Sequence, residues 1–140
     1  SLIAVVMKAP TSALRFSNAT SLLDYGFNNY SYKSFGNQGE IIKSVTVTKG
    51  IQQEVNAIYE TSPSFLIKKG DESRITYELE LTDTIQAPVT QGQLLGNVKY
   101  YLNGNEIGSV NLVAESSCNK LTLLTMTKNI FSKWFNLLKL

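Results

Sequence analysis

Ile75, Tyr77, Leu79 and Leu81 alternate with Thr76, Glu78 and Glu80, and a period of two suits only a strand with one dry face and one wet face. The same period governs much of the chain beyond Ser34. Val45 and Val47 alternate with Ser44, Thr46 and Thr48. Val98, Tyr100 and Leu102 alternate up to Asn103-Gly104, the favoured centre of a two-residue hairpin turn, where both residues need positive φ. The return strand is expected from Glu106 to Val113. Its apolar phase slips between Ile107 and Val110, which predicts a bulge at Gly108. Short strands parted by Gly, Asn, Asp and Pro turns, with no helix between them, predict an antiparallel β-sandwich over residues 34–127.

The first third follows another rule. Leu2 to Met7 is a continuous apolar run of the kind a fully buried strand shows, and Pro10 ends it. Leu22, Leu23, Phe27 and Tyr30 then recur at helical spacing, so a helix is expected to about Lys33, with Ser17 as its N-cap. Residues 1–33 therefore read as one strand and one helix, too apolar to stand alone. Exposed Leu22, Leu23, Phe27 and Tyr30 predict self-association through this unit. The chain as a whole is expected to be mainly β, with the strand-helix unit before the sandwich and a short amphipathic helix, residues 128–140, after it. Leu121, Leu123, Leu124 and Met126 fit either a last strand or a helix start.

Composition closes several functional classes. With 43% hydrophobic and 17% charged residues the chain packs a core. Thirteen basic residues against 11 acidic ones, with no block of like charge, leave no footprint for nucleic acid. Cys118 is the only cysteine, so no internal disulfide forms, and one thiol does not decide compartment. No apolar run approaches the roughly 18 residues a membrane span needs. The apolar start lacks a basic leader and reads poorly as a signal peptide.

Three stretches together resemble the low-molecular-weight D-alanyl-D-alanine carboxypeptidases, serine peptidases of the penicillin-binding kind. The first is Leu2-Ile3-Ala4-Val5-Val6-Met7-Lys8-Ala9-Pro10 with Arg15-Phe16-Ser17-Asn18-Ala19 and Leu22-Leu23-Asp24-Tyr25-Gly26-Phe27-Asn28-Asn29-Tyr30. In that family this is the last strand and closing helix of the α/β transpeptidase-like domain. The second is Ala87-Pro88-Val89, Gly92-Gln93-Leu94-Leu95-Gly96 and Val98-Lys99-Tyr100-Tyr101-Leu102-Asn103-Gly104, continued by Glu106 to Ala114. It is similar to the later strands of the family's C-terminal β domain. The third is the amphipathic end, which in the family attaches the enzyme to the outer face of the cytoplasmic membrane. The resemblance implies a bacterial cell-wall protein, peripheral at that face. It also implies that the peptidoglycan stem peptide is handled by an upstream domain carrying a Ser-x-x-Lys, a Ser-x-Asn and a Lys-Thr-Gly, all preceding Leu2.

The chain's own chemistry is sparse. It has no histidine, which excludes a Ser-His-Asp triad. Ser117-Cys118-Asn119-Lys120 satisfies Ser-x-x-Lys, and its first three residues satisfy Ser-x-Asn, but one serine cannot serve both sides of a cleft. Thr48-Lys49-Gly50 has the Lys-Thr-Gly letters in the wrong order and reads as a turn. The segment at Ser117 is expected to be a polar loop, and no catalytic residue is assigned in this chain. No cofactor or metal site is implied: Glu78 and Glu80 share a solvated strand face, Asp71-Glu72 is a turn, and Gly92 and Gly96 flank a strand rather than opening a helix.

The end of the chain carries the clearest interaction signal. Ile130, Phe131, Trp134, Phe135, Leu137 and Leu138 fall on one side of a helix, and Asn129, Ser132, Lys133, Asn136 and Lys139 on the other. At about 1.5 Å per residue it reaches roughly 20 Å, against a bilayer core of about 30 Å, so it lies on a membrane or packs on protein without crossing. In the membrane reading Ile130, Phe131, Trp134, Phe135 and Leu138 enter the headgroup boundary, with Lys128, Lys133 and Lys139 near phosphates. A binding module for cell-wall polymer or a partner protein is the competing reading, and Tyr59, Tyr77, Tyr100 and Tyr101 are the aromatics such a surface would use.

Overall fold

The structure is a computed structural model that describes residues 1–122. Its elements in chain order are helix α1 (Ser12–Asn29), then strands β1 (Tyr30–Ser34), β2 (Ile41–Thr48), β3 (Glu54–Tyr59), β4 (Ser64–Lys68), β5 (Ile75–Leu81), β6 (Thr84–Gln86), β7 (Leu94–Leu102) and β8 (Asn105–Ala114). The fold is mainly β, with one helix ahead of the strands.

Six strands form one mixed sheet in the order β5-β7-β8-β3-β2-β6, and β1 pairs with β4 in a separate two-stranded ribbon. Antiparallel pairing was expected throughout, but β2 and β6 run parallel, Thr46 to Thr48 beside Thr84 to Gln86. The cause is the link between β5 and β6. These strands lie on opposite edges of the sheet, yet only Thr82 and Asp83 separate them. Three peptide units reach about 10 Å, so the two edges must come together at that end and the sheet must curl. Thr46 N–H donates to the Asp83 carbonyl across this closure at 3.1 Å, and Lys43 pairs with the Asp83 carboxylate at 2.9 Å.

The alternating residues fill the curl. Val45, Val55, Ala57, Val98, Tyr100, Leu112 and Ala114 are buried, with Phe35, Ile42, Phe65 and Ile107 packed against them. The Asn103-Gly104 turn forms as its φ requirement predicts, with φ of 53° and 82°, and joins Leu102 to its partner Asn105. The register then slips at Gly108, opposite Tyr100. A Cβ there would sit 2.4 Å from Phe65 Cε1, so the bulge brings backbone against a ring that no side chain could share.

The first third differs from expectation in three places. The cap of α1 is Thr11, whose hydroxyl accepts from Leu14 N–H at 3.3 Å, not Ser17. Ser12-Ala13-Leu14-Arg15 are tolerated or favoured in a helix, so it starts immediately after Pro10 and Thr11. It ends at Asn29 rather than near Lys33, because Tyr30 to Ser34 find ladder partners in Lys68 to Ser64. Leu2 to Met7 carries no ladder among the described residues; an apolar run becomes a strand only beside another strand. It lies along α1, with Leu2 against Gly26.

Candidate functional site

Two apolar surfaces stand open among the described residues. The first is α1 and the run before it. No residue of α1 is buried, and Phe16 is 72% exposed, Tyr25 and Phe27 each 59%. Val5, Val6 and Met7 border an open trough with Leu22 and Tyr25 on the helix. The ribbon holds this unit to the rest: Lys69 Nζ donates to the Phe27 carbonyl at 2.9 Å, and Lys69 N–H to the Asn29 carbonyl at 2.8 Å.

The second follows from the curl. β5 and β2 meet at the Thr82-Asp83 link and diverge away from it, leaving a cleft of about 450 Å³. One wall is Ile75, Tyr77 and Leu79 of β5, and the other Ile41 and Ile42 of β2. Val98, Tyr100, Tyr59 and Phe35 make the floor, and Glu40 and Glu72 stand in the lining with no lysine or arginine. Each carboxylate spends one oxygen on local backbone, Glu40 on Asn37 N–H at 2.9 Å and Glu72 on Gly70 N–H at 2.8 Å. The alternation of β5 therefore turns Tyr77 and Leu79 into this cleft rather than a sealed core, and Tyr77 is 72% exposed.

The four tyrosines separate by depth. Tyr59 and Tyr100 are buried and share a hydrogen bond between hydroxyls at 2.7 Å, which either can donate. Burial, then the bond to Tyr59, pushes Tyr100 well above the usual phenol range. Tyr77 stacks at an angle on Tyr100, ring centroids 6.3 Å apart. Tyr101 lies on the opposite face of β7, its hydroxyl donating to Glu78 at 3.2 Å; burial, then that bond, raises its pKa. Sequence reasoning missed the hydroxyl pair. The Val55, Ala57, Tyr59 alternation that brings Tyr59 inward was the available signal.

The remaining motif residues have structural work. Ser117 is an exposed loop residue whose hydroxyl accepts from Gln91 N–H at 2.9 Å. Cys118 bridges to Val89 and Lys120 to Gly50, so the segment runs out as strand-like backbone. Three residues of such chain put the Cα atoms of Ser117 and Lys120 about 10 Å apart with their side chains on opposite faces, an arrangement unsuited to proton transfer between them. Lys49 turns the chain at φ 58°. Glu80 pairs with Lys99, whose ammonium holds the carboxyl below its ordinary range, while Glu80 in turn raises Lys99. Gly96 packs its bare Cα against the backbone of Glu80 and Leu81. The membrane-contact residues Lys128, Ile130, Phe131, Lys133, Trp134, Phe135, Leu138 and Lys139 lie outside the described residues.

Comparison with known proteins places these features in one group. Residues 30–120, from the first residue of β1 to the bridge at Lys120, match the family model for the C-terminal domain of penicillin-binding protein 5. The chain is 28% identical over 133 residues to the D-alanyl-D-alanine carboxypeptidase DacF of Bacillus subtilis, covering 94% of this chain and 34% of that protein. It is 35% identical over 112 residues to DacA of Haemophilus influenzae, covering 79% and 28%. The crystal structure of penicillin-binding protein 5 from Haemophilus influenzae superposes with a TM-score of 0.71 at 30% identity, over 82% of this chain and 34% of that one. The chain thus spans about a third of the length of the relatives it matches.

Proposed function

The chain belongs to the penicillin-binding protein 5 C-terminal domain family, and from that premise we propose that it is the non-catalytic C-terminal part of a serine-type D-alanyl-D-alanine carboxypeptidase of peptidoglycan biosynthesis, carrying the β spacer and the membrane attachment. The whole enzyme would remove the terminal D-alanine of a stem peptide through an acyl-serine intermediate formed in its upstream domain. The single observation that carries the assignment is α1. An 18-residue helix with no buried residue, joined to the family's β domain by hydrogen bonds from Lys69, needs a larger apolar body to cover it. A transpeptidase-like domain is such a body.

Residues 128–140 supply the attachment in this reading. Half-burying Ile130, Phe131, Trp134, Phe135 and Leu138 at about 25 cal/mol per Å² contributes several kcal/mol. Lys128, Lys133 and Lys139 each add about 1 kcal/mol near anionic lipid. That sum supports reversible binding at the outer face of the cytoplasmic membrane. No helix among the described residues is long and apolar enough to cross one.

Flotation on vesicles containing anionic phosphatidylglycerol tests the attachment. The full chain should float and a chain ending at residue 127 should stay at the bottom of the gradient; equal flotation overturns the assignment. Labelled penicillin should mark the enzyme that includes the upstream domain and leave this chain unlabelled. Covalent labelling at Ser117 would contradict the spacer reading.

A further inference from the structure

The cleft between β5 and β2 is built as a seat for one more strand. β5 is the outer strand of its sheet and pairs only with β7 among the described residues. The first half of β2 is paired on one side by β3, while β6 reaches only Thr46 to Thr48 on the other. Two strand edges with unmatched backbone groups thus flank one apolar trough, a liability that proteins normally cover with a bulge, a charge or a second element. Here the edge carries Ile75, Tyr77 and Leu79 toward the trough, with Leu79 37% and Ile41 53% exposed. Thr82-Asp83 shuts one end, where Lys43 is already paired with Asp83, and the other end is open. Among the described residues the only charges in the lining are the carboxylates of Glu40 and Glu72.

We propose that this cleft receives an extended basic segment of a partner protein, which adds to the free edge of β5 and sinks alternate apolar side chains against Tyr77, Leu79 and Tyr100. Backbone hydrogen bonds to the edge supply affinity, and the period-two pocket selects apolar residues at every second position. Glu40 and Glu72 select lysine or arginine near the mouth and reject acidic segments, which would meet two carboxylates without a counter-charge. Strand addition also accounts for the exposure of an otherwise apolar β5 face. A second copy of the chain and the chain's own residues 128–140 are the rival occupants.

The test uses the full chain and a labelled, acetylated seven-residue peptide matched to the length of β5, with lysine at both ends, valine at the two alternate positions between them and threonine elsewhere, so that valines and lysines share the face turned to the trough; binding is read by fluorescence anisotropy. Saturable binding is expected. It should weaken at least about tenfold when glutamate replaces each peptide lysine, when alternate peptide nitrogens are methylated, or in Glu72→Lys and Tyr77→Ser chains. Both positions are outside the buried core, and an unchanged circular dichroism spectrum confirms that each variant folds. Equal binding of the acidic or the methylated peptide overturns the proposal, as does indifference to both substitutions. Sedimentation showing a dimer that the peptide dissociates would assign the cleft to a second copy. Binding that emerges only on deleting residues 128–140 would assign it to the chain's own end. Either result refutes the partner segment.

Discussion

Replacing Tyr100 with phenylalanine removes one hydroxyl from a pair held 2.7 Å apart with Tyr100 2% and Tyr59 6% exposed. The ring stays, so packing against Phe35 and Phe65 at centroid distances of 5.7 and 5.0 Å is retained. What remains is a buried Tyr59 hydroxyl with no partner, which costs about 1–3 kcal/mol. Tyr59→Phe leaves the mirror-image defect and should cost a similar amount. The double variant strands nothing, and its cost should fall to the net worth of one hydrogen bond, about 0.5–1.5 kcal/mol. The two single costs together, about 2–6 kcal/mol, should therefore exceed the double by about 1.5–4.5 kcal/mol, a coupling measurable in a double-mutant cycle by urea unfolding followed by circular dichroism. Additivity within about 0.5 kcal/mol would show that the hydroxyls do not depend on one another, and would refute the account of the cleft floor. Titration gives an independent check. The folded state holds Tyr100 protonated above its ordinary pKa of about 10. That contribution is fully present below the unfolded value and is lost as pH rises past it. The wild type should lose stability in alkali more steeply than Tyr100→Phe.

Gly96→Ala places a Cβ 2.1 Å from the Glu80 carbonyl oxygen and 2.9 Å from Leu81 Cα, so backbone rather than a side chain must give way; a loss of about 2–4 kcal/mol is expected in urea. Gly92→Ala, with φ 78° and open space around it, should cost only about 1–2 kcal/mol, and equal losses would contradict the close approach of β5 and β7. Because Lys99 depresses the Glu80 carboxyl, its contribution is present above the ordinary value of 4.5 and is lost as pH falls through the lower folded value. Glu80→Gln should flatten the acid limb of the stability curve measured by urea midpoints, and an unchanged limb would remove the pair from the account.

Local rules reached as far as local geometry. Asn103-Gly104 and the slip at Gly108 were readable because φ preference and side-chain phase are properties of a few neighbouring residues. Val45 and Val47 were likewise readable as inward positions. The helix limits were not, because Ser17 and Thr11 are both acceptable caps and only Pro10 favours the earlier start. Tyr30 to Lys33 continue a helical pattern in isolation, and pairing with β4, more than 30 residues on, overrides it. Tyr77 shows the opposite failure. Its alternation correctly marks a strand, but whether the apolar face meets a core or a cleft depends on the Thr82-Asp83 link pulling two sheet edges together at one end only. The parallel pairing of β6 has the same origin.

Phe35 and Phe65, at the base of the β1–β4 ribbon, touch Tyr100 and each other, and Tyr77 continues the row of rings into the cleft. The ribbon that bears α1 therefore meets the larger sheet through an aromatic knuckle rather than through a shared ladder. Tyr100, at the centre of that row, is also the floor of the cleft. The rings that seat the helix-bearing ribbon are thus the rings that shape the trough, so a substitution at Phe35 or Phe65 reaches both surfaces at once.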